Sequence, residues 1–332
     1  MIDNIDFVVL WVDGNDPQWQ TLKNKYEVNT AGDTRITRFR DWDNLQFWFR
    51  GAEKYAPWVN KIHFVTWGHY PQWLNINHPK INFVRHEDYI PEQYLPTFSS
   101  RTIELNLHRI ESLSNRFVLF NDDMFTLKRL KEEDMFRKGL PCDSAILKPL
   151  ISSFRNSIGG IVSNNMEIIN TTFNKNKVIR KNVFKWFNPI YKRNLVSTIC
   201  LMPYRHFVGF INPHLPISYL KDTFFEVWEA EYEVLHNTCC RKFRDRRDVN
   251  HWLFRYWQIS TGKFIPRSVS IGRYLSLTNN NKSVEKAIIE QKYKLVCLND
   301  DNRDPIIDFE KEKELIKRAL EKILPEKSSF EL

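Results

Sequence analysis

Four short apolar runs punctuate the first 120 residues: Phe7 to Trp11, Ile62 to Trp67, Ile81 to Arg85 and Phe117 to Phe120. Each is rich in β-branched or aromatic residues and bounded by polar turn residues, the pattern of a buried strand. Between them the spacing becomes helical. Leu45, Trp48, Phe49 and Ala52 share a face, Asp41 and Asp43 are available as caps, and Pro57 lies beyond the end. Ser99 or Ser100 can cap a second helix, with Ile103, Leu107 and Ile110 on one side. Strands alternating with helices predict an α/β protein with a mainly parallel sheet flanked by helices. In such sheets ligands bind beyond the carboxyl ends of the strands, where this chain concentrates its acids.

The pattern changes after the first 130 residues. Asn174 to Asn194 holds seven basic residues (Lys175, Lys177, Arg180, Lys181, Lys185, Lys192, Arg193) and no acid, interleaved with Val178, Ile179, Val183, Phe184, Trp186 and Phe187. Two readings stay open: a surface helix on an anionic bilayer, or a basic helix packed on the domain. Asn279 to Asn281 reads as a loop, and a further strand, Tyr293 to Leu298, runs into Asn299-Asp300-Asp301. Phe309 to Leu324 predicts an amphipathic helix with Phe309, Ile316, Leu320 and Ile323 inward and Glu314 paired with Arg318 outside. The expected organisation is a nucleotide-sugar-binding α/β part over 1–130, a basic, largely helical insertion over 131–195, a second catalytic part over 196–305, and a C-terminal helix and tail over 306–332.

Composition narrows the class. With 42% apolar and 27% charged residues in 332, the chain can bury a core and is not disordered. No run approaches the roughly 18 apolar residues a bilayer span needs. The start, MIDNIDFVVLWVDG, has acids where an export signal has bases, so a cytoplasmic location is expected, peripheral at the inner face of the plasma membrane. Five cysteines without CxxC spacing read as reduced thiols and not as a zinc site. A net charge of +9 points to an anionic partner: nucleic acid, phospholipid or a phosphorylated small molecule.

Three segments carry candidate chemistry. The first strand runs into Trp11-Val12-Asp13-Gly14, which puts a carboxylate and a closely approachable backbone at a strand end, though the same residues also make a good turn. Phe117 to Phe120 runs into Asn121-Asp122-Asp123, paired carboxylates suited to holding Mg²⁺ or Mn²⁺ against a diphosphate, or alternatively a solvated turn. His214, in Asn212-Pro213-His214-Leu215-Pro216, is an imidazole between two stiffening prolines; structural and catalytic readings both fit it. Phe243 to Asn250 (FRDRRDVN) offers guanidinium groups for phosphate oxygens, and the apolar residues after it imply that part of it faces the core. GxxxxGK[ST], GxGxxG after the first strand and HExxH are all absent, which argues against P-loop, dinucleotide-binding and zincin chemistry.

Together, "IDFVVLWVDGNDPQW", "RFRDWDNLQFWFRGAEKYAPWVNKIHFVTWGHYPQWLN", "LPTFSSRTIELNLHRIESLSNRFVLFNDDMF" and "NPHLP", with the shorter "FRDRRDVN" and "YKLVCLNDD", resemble the Stealth family. The likeness is nearly continuous from Ile5 to Phe125 and patchy afterwards; Asn44 and Gln46 stand where many members carry Glu and Arg. The resemblance implies a Rossmann-like or GT-A-like mixed sheet, with a helical insertion and a C-terminal helix. It also implies transfer of hexose 1-phosphate from a UDP-sugar to a glycan hydroxyl, giving a phosphodiester and UMP, in capsular or cell-wall polysaccharide synthesis. A metal-dependent glycosyltransferase releasing UDP is the alternative.

By matched position, the implied metal ligands for Mg²⁺ or Mn²⁺ are Asp122, Asp123 and Asp300. His214 is the implied general base or phosphate stabiliser, with Asp123 second in line as base, and Arg244 pairs with phosphate as UMP departs. Trp11, Asp13, Gly14, Arg40, Asp41, Ser100, Glu104, His108 and Asp248 are expected to shape the substrate pocket. Expected partners are a UDP-hexose donor, a lipid-linked oligosaccharide or polysaccharide acceptor, and an anionic membrane surface. A nucleic-acid partner is disfavoured, because acidic strand ends repel a phosphate backbone.

Overall fold

The computed structural model describes residues 4–27, 42–151, 158–300 and 306–332. The four apolar runs are strands: β1 (Ile5–Leu10), β2 (Ile62–Thr66), β3 (Ile81–Arg85) and β4 (Arg116–Asn121). After a two-residue turn comes β5 (Met124–Thr126), then a short hairpin of β6 (Phe136–Arg137) and β7 (Leu140–Asp143). Later strands are β8 (Ile217–Leu220), β9 (Ile265–Pro266), β10 (Gly272–Leu277) and β11 (Leu295–Asp300). The main sheet runs β3-β2-β1-β4-β8, parallel except for its antiparallel edge β8. This is the α/β architecture expected, a mixed, mainly parallel sheet flanked by helices.

The first part contributes helices α1 (Pro17–Glu27), α2 (Leu45–Tyr55), α3 (His86–Tyr89) and α4 (Ser100–Leu105). A middle group follows: α5 (Glu132–Met135), α6 (Gly159–Thr172), α7 (Lys175–Lys181), α8 (Val183–Trp186) and α9 (Asn194–Cys200). The remainder are α10 (Lys221–Ala230), α11 (Tyr232–Cys240), α12 (Trp252–Thr261), α13 (Lys282–Ile289) and α14 (Phe309–Ile323).

Strand side chains alternate between two cores, as the pleat requires. Phe7, Val9, Val118 and Phe120 pack with Trp48 and Phe49 of α2, and Ile316 and Leu320 of α14 join that core. Val8, Phe117 and Leu119 pack on the other face with Tyr219, Phe224 and Phe254. Both faces are covered, which is why β1, β2 and β4 read as continuous apolar runs. A smaller sheet, β10-β11-β5, lies beyond, with β5 antiparallel to β11. The chain therefore leaves one sheet and enters the other at Asp122-Asp123. Gly51 lets α2 press on this junction, because a Cβ there would lie 2.6 Å from the Thr126 carbonyl oxygen.

Several local expectations need correcting. Asn44, not Asp43, occupies the α2 cap position; Asp43 instead binds Lys317 of α14 at 2.7 Å, while Asp41 lies outside the described residues. Ser99 is at the N-cap of α4, but its hydroxyl makes no capping bond, and the helix gives way to a 3₁₀ turn over Leu107–Arg109. The basic stretch is not one surface helix. It breaks into α7, α8 and a 3₁₀ turn, and its Val178, Ile179 and Trp186 are core residues. Lys175 is buried, its ammonium donating to the Leu201, Met202 and Tyr204 carbonyls that close α9. The tail helix forms as expected, with Ile316 and Leu320 buried and Glu314 bonded to Arg318 at 2.8 Å.

Candidate active site

The turn between β4 and β5 separates its two aspartates. Consecutive residues at a strand end point to opposite sides, so Asp122 is exposed while Asp123 turns inward. Oδ2 of Asp123 accepts hydrogen bonds from Asn299 Nδ2 at 2.8 Å and from the Cys297 thiol at 3.3 Å, both at the carboxyl end of β11. Oδ1 is buried and has no hydrogen-bond partner. One oxygen is thus anchored and the other left to act. Burial, and then the Asp123 carboxylate, push the Cys297 thiol well above its ordinary range, so it is a neutral donor at physiological pH.

His214 comes to the same place from another direction. Ligand atoms of Asp123, His214 and Cys297 all lie within 4.8 Å of one another. His214 has φ = 51°, a left-handed conformation that costs about 1–3 kcal/mol and needs surroundings that enforce it. Helix α12 supplies them. Asn212 Oδ1 accepts from Arg255 Nη1 and from the Tyr256 hydroxyl, each at 2.9 Å. Arg255 is itself fixed by a buried two-pronged pair with Asp143, at 2.7 and 2.8 Å. On the other side the Tyr274 ring stands edge-on to the imidazole at 5.5 Å, and its hydroxyl reaches Asn299 Oδ1 at 3.4 Å. Gly272 permits this approach, since a Cβ there would sit 2.4 Å from Leu295 O and 2.8 Å from Leu215 Cδ1.

A second polar group adjoins through Trp252, whose ring lies 6.1 Å from both His214 and His251. Arg244 Nη2 donates to Ser100 Oγ at 2.6 Å, and Ser100 also bonds Glu104. Burial drives the Glu104 carboxyl up to about 7, against the pull of Arg244, Ser100 and Arg101. Its Oε2 is 3.9 Å from His251 Nε2. Burial, helped by His214 and Arg255, lowers His251 to about 3, so this imidazole is neutral. Its Nδ1 faces the Tyr219 hydroxyl at 2.9 Å. A guanidinium, a carboxyl poised near neutrality and a neutral imidazole therefore border the Asp123–His214 pair.

Other expected site residues are placed differently. Asp248 is fully buried and bound by Arg101 at 2.5 Å, Arg241 at 2.8 Å and the Asp245 amide at 2.7 Å. These bonds tie both carboxylate oxygens into the loop that carries Arg244. His108 packs among Phe224, Phe225 and Trp228 of α10, beside the start of β4 and away from its carboxyl end, and burial lowers it to about 3. Trp11 is a core residue stacked on Phe64 at 5.8 Å. Asp13 and Gly14 do lie at the end of β1: the Asp13 amide donates to His69 Nε2 at 2.7 Å, Asp13 Oδ1 accepts from Asn15 N, and Gly14 O from Gln20. Asp300 ends β11, beside the Asp123 anchor Asn299. Arg40 lies outside the described residues.

Among the described residues the close cluster is Asp123 with His214 and Cys297, and the Asp122 charge acts on the same Cys297 thiol. A hard divalent cation fits, because Mg²⁺ is commonly held by one or two carboxylates together with substrate phosphates. The partnerless Oδ1 of Asp123 is such a donor. Asn299, Cys297, Tyr274, Arg255 and Asp143 carried no signal of their own in the sequence beyond the Asn-Asp-Asp end of the last strand and a basic residue inside the apolar run WLFRYW.

Family models for Stealth conserved region 1 and conserved region 2 match residues 3–30 and 38–142. The capsular polysaccharide phosphotransferase WcwK of Streptococcus pneumoniae is 46% identical over 333 residues, covering 99% of this chain and 98% of that protein. The receptor polysaccharide phosphotransferase WefC of Streptococcus oralis is 40% identical over the whole of both chains. The exopolysaccharide phosphotransferase cps2G of Lactiplantibacillus plantarum is 38% identical, covering 99% and 96%. Relatedness at this level along the full length leaves one conclusion: the chain belongs to the Stealth family of phosphotransferases.

Proposed function

We propose that the protein moves hexose 1-phosphate from a UDP-sugar to a hydroxyl of a lipid-linked oligosaccharide or polysaccharide, in capsular or cell-wall polysaccharide synthesis. The observation that carries this reading is the meeting of Asp123 and His214 within 4.8 Å, beside Arg244 and Glu104, at the carboxyl end of the sheet. His214 takes the proton of the acceptor hydroxyl as its oxygen forms a bond to the β-phosphorus. The bond from that phosphorus to the bridging oxygen breaks, and UMP leaves with the electron pair. Arg244, held by Ser100, pairs with phosphate oxygens as charge builds on them. Asp123 Oδ1 would hold Mg²⁺ or Mn²⁺, which would supply neutralisation of the diphosphate charge. Asn299 and Cys297 hold Oδ2 of that carboxylate and leave Oδ1 without a hydrogen-bond partner.

The test is incubation of purified protein with a panel of UDP-hexoses, Mg²⁺ or Mn²⁺ and cell-envelope acceptor, with EDTA as control. UMP release with a phosphodiester in the product is expected. Release of UDP with a plain glycosidic bond would overturn the reading in favour of glycosyl transfer.

A further inference from the structure

Helix α9 is amphipathic in the wrong sense. Its hydroxyl residues face inward: Ser197 Oγ donates to Leu147 O at 2.7 Å, and the buried Thr198 accepts from Leu147 N at 3.1 Å. Its apolar residues at i, i+3 and i+4 face water, with Val196 61% exposed, Ile199 56% exposed and Cys200 exposed. An ordinary surface helix buries that stripe. Just upstream, Val183 is 41% and Phe184 86% exposed, although the neighbouring Trp186 is wholly buried. Lys175, the first residue of α7, donates to the carbonyls after α9 and so holds the start of the basic segment against the end of that helix. Lys177, Arg180, Lys181, Lys192 and Arg193 are all exposed along the same segment. No Asp or Glu occurs between Glu167 and Asp222.

We propose that α8 and α9 form a docking face for an anionic phospholipid bilayer, with Phe184, Val196 and Ile199 entering the headgroup–acyl boundary and the lysines and arginines meeting lipid phosphates. Exposed apolar groups rimmed by bases and free of acids are the chemistry of a helix lying on a membrane. Single-stranded nucleic acid would need successive aromatic rings for its bases, whereas this face offers one, Phe184, among the aliphatic Val183, Val196 and Ile199. A second copy of the chain would bring two acid-free basic surfaces together with nothing to neutralise them. Among the described residues no helix is long and apolar enough to cross a membrane, so contact is by lying on the surface. The face shares no residue with the Asp123–His214 crevice, and its failure leaves the proposed reaction untouched.

The experiment is co-sedimentation of the full chain with phosphatidylglycerol–phosphatidylcholine vesicles and with phosphatidylcholine vesicles alone. Binding to the anionic vesicles that weakens with salt is expected, with a loss of about tenfold in Phe184→Ser/Ile199→Ser. Both positions are exposed, and an unchanged thermal midpoint verifies the fold. Lys181→Gln/Lys192→Gln/Arg193→Gln, altering only surface charge, gives an independent reading and is expected to weaken binding as well. No wild-type binding to anionic vesicles, or undiminished binding by both variants, overturns the proposal. So does a concentration-dependent dimer in sedimentation velocity that Ile199→Ser dissolves, which would assign the face to a second copy.

Discussion

At the crevice, Asp123 Oδ1, Glu104 and His251 are polar groups withdrawn from water, whereas on α8 and α9 Phe184, Val196 and Ile199 are apolar groups left in it. Each arrangement costs free energy in the isolated chain: desolvation without full compensation in one case, unburied hydrocarbon in the other. The contrast shows in what surrounds each. Asp123 and His251 are held by bonds from other elements, as preorganised chemistry demands, while the exposed α8–α9 residues sit among exposed cationic side chains.

That contrast can be broken most severely at Asp123 and His214. Asp123→Ala and His214→Ala are each expected to lower turnover by about 10³-fold with the fold intact by circular dichroism. Wild-type UMP release by either variant removes that residue from the reaction. Next, Asp248→Ala leaves Arg101 and Arg241 without their shared carboxylate and is expected to cost about 3–5 kcal/mol in urea unfolding. A stability loss under 1 kcal/mol would show that Asp248 is not the post of the Arg244 loop.

Glu104 gives a smaller, pH-dependent effect. Its carboxyl sits at about 7 in the folded chain against an ordinary 4.5, so the unfolded chain gives up the proton first. The stability linked to the buried acid is complete below about pH 4.5 and is lost as pH rises through about 7. Glu104→Gln is therefore expected to match wild type at pH 4 and exceed it by about 3 kcal/mol at pH 8. Parallel stability curves across that range refute a protonated, buried Glu104. The smallest effect belongs to the outer face: Phe184→Ser is expected to change stability by no more than about 0.5 kcal/mol. A drop of several kcal/mol in thermal unfolding would mean that the ring is packed in solution.

Much of the framework was legible in the chain. The four strands and the tail helix follow from apolar runs and helical spacing, because a two-sided sheet and a one-sided helix impose those periods locally. Asp123 and His214 were singled out through motif resemblance, and the structure brings their ligand atoms within 4.8 Å of each other. Their supports were not. Asp143 pairs with Arg255 across 112 positions, and Asn299 reaches Asp123 across 176, so no local pattern announces either. The basic stretch left two readings open because charge says nothing about whether a lysine faces water or, like Lys175, caps carbonyls inside.

Sequence alone therefore determined the elements that depend on near neighbours: which segments are strands, which faces of helices are apolar, and where acids cluster at strand ends. Tertiary structure decided which of two adjacent aspartates turns inward, which histidines share a pocket and which are filler, and which apolar residues remain uncovered. Those outcomes rest on contacts between segments far apart in the chain, where burial and hydrogen-bond partners are set only once the sheets and helices have closed on one another.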